Sequence, residues 1–149
     1  MDLTMDAHRI AMEYAVNDES SLSDTVRDEA TLYYILEASK NAVNIMFQAA
    51  CIMYGIANFH PFMEGNKRTA WLMAMYVLDP IYVKSMGREQ EFDAFIREMA
   101  SGERNELDIV MFFKQYGRVI RQRSRNRTPE GRLRWEAELH SDLLKMLSR

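Results

Sequence analysis

Apolar residues recur at helical spacing along most of the chain, and alternation with the period of a strand is scarce. Leu3, Ala7, Ile10 and Tyr14 define one face of a first helix, and its pattern ends at Asn17-Asp18-Glu19-Ser20-Ser21. Ser23 or Asp24 is placed to cap a second helix through Leu32, Ile35 and Leu36. The polar connection from Asn17 to Thr25 is long enough for a short flap. From Asn41 to Phe59 no side chain is charged. About twenty apolar residues would cross a bilayer, but Asn41, Asn44, Gln48, Gly55 and Asn58 dilute the run. The same pattern suits the central helix of a bundle, apolar on all sides. A second such run, Thr69 to Leu78, stops at Asp79-Pro80. Two core helices joined by the polar segment His60–Arg68 follow.

Beyond Pro80 the pattern predicts a loop and a helix around Glu89 to Ala100. After a break at Ser101-Gly102, a helix starts near Leu107 and runs on into Arg118–Arg127. Thr128, with Pro129 in the first turn, restarts a helix along which Trp135, Leu139, Leu143 and Leu147 recur every fourth residue. The expected organisation is one domain over residues 1–127, followed by an amphipathic helix over 128–149 packed on it or on a partner.

Composition changes this picture only slightly. An apolar share of 48% with 28% charged residues is that of a globular chain. Met1–Asp6 carries no basic stretch leading into an apolar run, so the expected address is the cytoplasm. The lone Cys51, among Ala49, Ala50 and Ile52, fits a reducing compartment and reads as a small buried hydrophobe. The net charge of -3 is unevenly spread, with an arginine-rich stretch after Arg118 on an otherwise acidic body. A solvated helix end lying back on that body explains it best, which disfavours nucleic acid as a partner. No membrane partner is expected.

The chemistry concentrates in His60-Pro61-Phe62-Met63-Glu64-Gly65-Asn66-Lys67-Arg68. Gly65 and Asn66 open the second core helix, whose backbone N–H groups and positive dipole end form an anion site. Lys67 and Arg68 add two cations there, and a guanidinium grips phosphate bidentately. Glu64 supplies a hard oxygen for Mg²⁺, which binds through one or two carboxylates plus phosphates. The imidazole of His60 can take a proton from an attacking hydroxyl. Pro61 restricts His60, and Phe62 anchors the loop. Each residue alone has an ordinary explanation as cap, dipole partner or solvated surface; within nine positions of each other they read as a site.

These residues resemble the Fic/Doc family signature H-x-F-x-[D/E/N]-[G/A]-N-[K/G]-R, matched position by position by His60, Phe62, Glu64, Gly65, Asn66, Lys67 and Arg68. Weaker similarity runs from about Asp18 to Tyr116 and includes Ala100-Ser101-Gly102-Glu103, which is similar to a late segment of Doc toxins. The resemblance implies an all-α, Fic-type helical bundle with a small β-hairpin flap beside the site. It implies an ATP-dependent, Mg²⁺-assisted transferase acting on a protein hydroxyl, with His60, Asn66 and Arg68 catalytic, Gly65, Asn66, Lys67 and Arg68 on the phosphates and Glu64 on the metal. The AMP-transferring branch usually has glycine in place of Lys67 and a second arginine where Trp71 stands. Both departures resemble the Doc branch, in which a γ-phosphate moves to a translation elongation factor and an antitoxin controls the enzyme. Glu64-Gly65 and Pro61 look more like the AMP-transferring branch. The inhibitory pattern [S/T]-x-x-x-E-[G/N] fails at Ala30 after Thr25–Glu29 and at Gln90 after Ser85–Glu89. A non-catalytic module that kept the anion site is the remaining reading, against which His60 argues.

Overall fold

The computed structural model describes residues 2–15, 26–120 and 127–148. Those residues form eight helices and one two-stranded sheet, as expected for an all-α Fic-type bundle. In chain order they are α1 (Asp2–Met12), α2 (Glu29–Ser39), α3 (Ile45–Phe59), α4 (Asn66–Leu78), β1 (Ile81–Val83), α5 (Glu89–Ala100), α6 (Glu106–Tyr116), β2 (Gly117–Val119), α7 (Pro129–Leu139) and α8 (Ser141–Leu147).

The two uncharged runs become the paired centre of the bundle. Helix α3 is capped by Asn44, whose Oδ1 accepts the Phe47 N–H at 3.0 Å. It packs on α4 most extensively, and on α2, α5 and α6. Ala49, Ala50, Ile52, Met53, Ile56 and Ala57 are buried along it. Of α4, everything from Arg68 to Met75 is buried, because α1, α3 and α7 all lie against it. Neither helix spans a membrane, since no described helix is long and apolar enough to do so.

Several boundaries differ from those the pattern predicts. Helix α2 begins after Asp28, whose Oδ1 accepts the Thr31 N–H at 3.0 Å. The chain before it is held extended: Val26 bridges Phe62, and the N–H groups of Arg27 and Asp28 both donate to the Pro61 carbonyl. Ser23, Asp24 and the flap expected over Asn17–Thr25 lie outside the described residues. Helix α6 is closed at its start by a capping box between Asn105 and Asp108 and ends at Tyr116. It does not continue into the arginines, because Gly117 turns extended and β2 pairs antiparallel with β1, Tyr82 facing Arg118. The segment after Pro80 is therefore a strand, Ile81-Tyr82-Val83, and not a loop.

The last helical stretch is two helices, broken at His140. Trp135 and Leu139 are only half-buried, whereas Leu133, Ala137, Leu143, Leu144 and Leu147 enter the core together with Glu136 and His140. The polar pair is accommodated because His140 Nδ1 lies 2.6 Å from Ser85 Oγ and its Nε2 lies 3.6 Å from Glu136 Oε2. Helix α7 rests on α1 and α4, and α8 on α5. Arg132 fastens it by donating to the Tyr76 carbonyl at 2.8 Å and to Asp79 Oδ1 at 3.2 Å.

Candidate active site

The loop between α3 and α4 is built from both sides. Helix α3 ends on His60, which adopts a left-handed conformation (φ 50, ψ 58) and is exposed. A residue with a Cβ occupies that region at a cost of about 1–2 kcal/mol, a strain that clusters at functional sites. Asn58 holds the helix end in place by donating to the Met99 carbonyl at 3.1 Å. Pro61 turns the chain inward, and its carbonyl takes the two N–H groups from Arg27 and Asp28.

Phe62 is fully buried and anchors the loop. Its N–H donates to Asn66 Oδ1 at 3.1 Å, and its carbonyl accepts from Asn66 Nδ2 at 2.9 Å. The Asn66 side chain thus clamps the loop to the first turn of α4. Gly65 sits at the N-cap with φ 77 and offers no side chain to the helix. No side chain caps the first-turn amides of α4, which carry the positive end of the helix dipole, the feature an anion site uses. Lys67 is half-buried in that turn, and Arg68 is 2% exposed.

Two residues of α1 complete the arrangement, and neither was legible from the sequence pattern. His8 is buried, its ring lies parallel to Phe62 with centroids 4.0 Å apart, and its Nε2–H donates to the Glu64 carbonyl at 2.9 Å. Met12 presents its sulfur to Arg68 Nη2 at 3.4 Å. Thioether sulfur is a weak acceptor, so an arriving phosphate oxygen competes well for that guanidinium. An α1 helix read only for its apolar face hides both contacts; a His and a Met at i, i+4 on one helix were the available signal.

Glu64 is half-buried, and its Oε2 is buried without a hydrogen-bond partner among the described residues. Such a carboxylate oxygen suits a hard cation whose other ligands are phosphates and water. No group of three His, Cys, Asp or Glu side chains that could hold a metal unaided occurs among the described residues. A cation held by Glu64 would need its other ligands from elsewhere, such as the phosphates of a nucleotide.

His60, Glu64, Gly65, Asn66, Lys67 and Arg68 thus gather at one helix start. Trp71 does not join them. It is fully buried, its ring packed on Phe92, Phe112 and His140. That position of α4 points into the core.

The model of the Fic/DOC family matches residues 5–78. That stretch, just under half of the chain, is similar to the Fic/Doc family. It contains α1 from Met5 onward, the whole loop and α4, so the two α1 contacts lie within the matched segment along with the signature. Helices α5 to α8 and the sheet lie beyond the match. No curated protein and no solved structure matches the chain significantly. Fic proteins as a family transfer nucleotide-derived groups to proteins, with ATP as substrate and typically a metal ion.

Proposed function

We propose that the protein transfers the γ-phosphate of ATP to a serine, threonine or tyrosine hydroxyl of a protein, in the manner of Doc. The observation that carries this reading is the pair of residues on α4. Lys67 stands in the first turn, and Trp71 is sealed in the core where the AMP-transferring branch has an arginine. A lysine fills the space a glycine would leave for a closely approaching diphosphate and adds a charge beside the moving group.

In the reaction the acceptor oxygen forms a bond to Pγ while the bridging Pγ–O bond breaks, and ADP leaves with that electron pair. His60 takes the hydroxyl proton; being exposed on a strained helix end, its ring can reach a protein acceptor. Arg68 and the α4 amides bind the phosphates and stabilise charge as it develops. Glu64 would hold Mg²⁺, which supplies charge neutralisation on the phosphates. A cytoplasmic address, a translation elongation factor as target and control by a separate antitoxin follow from the Doc-like reading.

Glu64-Gly65 and Pro61 favour the second reading, AMP transfer. Incubation with a cell lysate and ATP labelled on either the α- or the γ-phosphate separates the two. Protein-bound γ label that is lost in His60→Ala supports phosphate transfer. Protein-bound α label supports AMP transfer, and no label in either case leaves a binding module.

A further inference from the structure

We propose that His8 of α1 is a positioning residue: through the Glu64 carbonyl it fixes where the Glu64 carboxylate stands, and so sets how much Mg²⁺ strengthens nucleotide binding. The inference rests on reading Glu64 as the residue that meets the metal. Glu64 has little else to orient it. Its neighbour Gly65 is in the left-handed region with no side chain, Met63 on the other side is 44% exposed, and no side chain caps α4. Its own Oε2 has no hydrogen-bond partner among the described residues. The direction of the carboxylate is therefore set by its backbone, and among the described residues the hydrogen bond to that backbone from outside the loop is the His8 Nε2–H at 2.9 Å.

His8 is itself well determined. It is 1% exposed, and its ring lies within 4° of parallel to Phe62, which Asn66 clamps in turn. A hydrogen bond that orients a metal ligand commonly changes metal affinity by about 10–100-fold. Helix α1 is held against α7 by Arg9–Glu130 at 3.5 Å and Arg134–Glu13 at 3.1 Å. The C-terminal helices beyond the Fic segment thus seat the helix that carries His8.

The test separates ring from donor. His8→Phe keeps the stacking surface and removes the N–H; His8→Gln places an amide N–H near the Nε2 position and removes the ring. Binding of the β,γ-imido analogue of ATP to the full chain is measured by calorimetry with excess Mg²⁺ and with chelator. The ratio of the two affinities is the metal-dependent gain. For His8→Phe the gain falls about tenfold while the affinity in chelator stays unchanged; for His8→Gln it stays within about threefold of wild type. A wild-type gain in His8→Phe, equal losses in both variants, or a parallel fall in chelator overturns the inference. Should His8→Phe not fold, His8→Leu carries the same expectation. Glu64→Ala is the control. If it abolishes the gain while His8→Phe keeps it, only the role of His8 fails; if it too keeps the gain, the metal reading of Glu64 fails with it.

Discussion

Gly65→Ala tests the packing between α1 and the active-site loop. Gly65 has φ +77, and a Cβ built there would lie 2.5 Å from Met12 Sδ, 3.4 Å from Arg68 Nη2 and 3.6 Å from His8 Nε2. Gly102 supplies the comparison, with φ +86 and nothing within 4 Å of the added atom. Both alanines meet the same backbone penalty, about 1–2 kcal/mol in the left-handed region. On a chain of this size that lowers Tm by about 2–8 °C. Only Gly65→Ala also collides. The thioether is the flexible end of a side chain and can swing away at small steric cost, but it leaves Arg68, and the new methyl takes its place beside the guanidinium. Displacing a charge-assisted phosphate contact costs about 1.5–3 kcal/mol, or roughly 10–100-fold in nucleotide affinity. Melting curves and calorimetric titration with Mg–nucleotide measure both effects. The expected result is similar Tm losses for the two variants and an affinity loss confined to Gly65→Ala. Adding Met12→Ala to Gly65→Ala removes the collision and leaves only the backbone penalty. If Gly65→Ala binds nucleotide as well as Gly102→Ala does, the close approach of α1 to the anion site has no functional weight and the reasoning is wrong.

His60→Ala is expected to reduce transfer by about 10²–10⁴-fold with nucleotide affinity retained, and loss of affinity in a titration would contradict its role as base. Lys67→Gly should impair phosphate transfer; intact mass of the modified target reads about 80 Da for phosphate and about 329 Da for AMP, and AMP from the wild-type protein would refute the Doc-like half of the reading. The Asp28 carboxyl is held below the ordinary aspartate value, first by the Thr31 hydroxyl and then by the Thr31 N–H. A lowered folded value means that this contribution to stability is present above the unfolded value and is lost as pH falls through the folded one. Asp28→Asn, which caps α2 at any pH, should therefore flatten the acid side of the melting curve between about pH 2 and 6; parallel wild-type and variant curves would count against the cap.

The amino-acid sequence by itself determined the helical class, the two uncharged core runs and the nine-residue segment between them. Helical periodicity and the absence of charge are local properties, and burial of an apolar face follows from them directly. The candidate site was legible for the same reason: His60, Glu64, Gly65, Asn66, Lys67 and Arg68 are neighbours in the chain, on the loop that leads into a helix start. What packs against them is decided by the tertiary structure. The α1 residues His8 and Met12 reach Glu64 and Arg68 across 56 positions of sequence. Asn66 reads equally as a cap or a phosphate ligand until its amide is seen closed on both backbone groups of Phe62. The core run Thr69–Leu78 already places Trp71 inside, but which rings it meets, Phe92, Phe112 and His140, is decided by the packing of distant helices. The sheet and the early end of α6 were hidden likewise, because a three-residue strand has too little pattern to announce itself and exists through pairing with a partner 36 residues on. Short elements and buried polar contacts draw their stability from distant groups, and the local pattern carries no record of which distant group that will be.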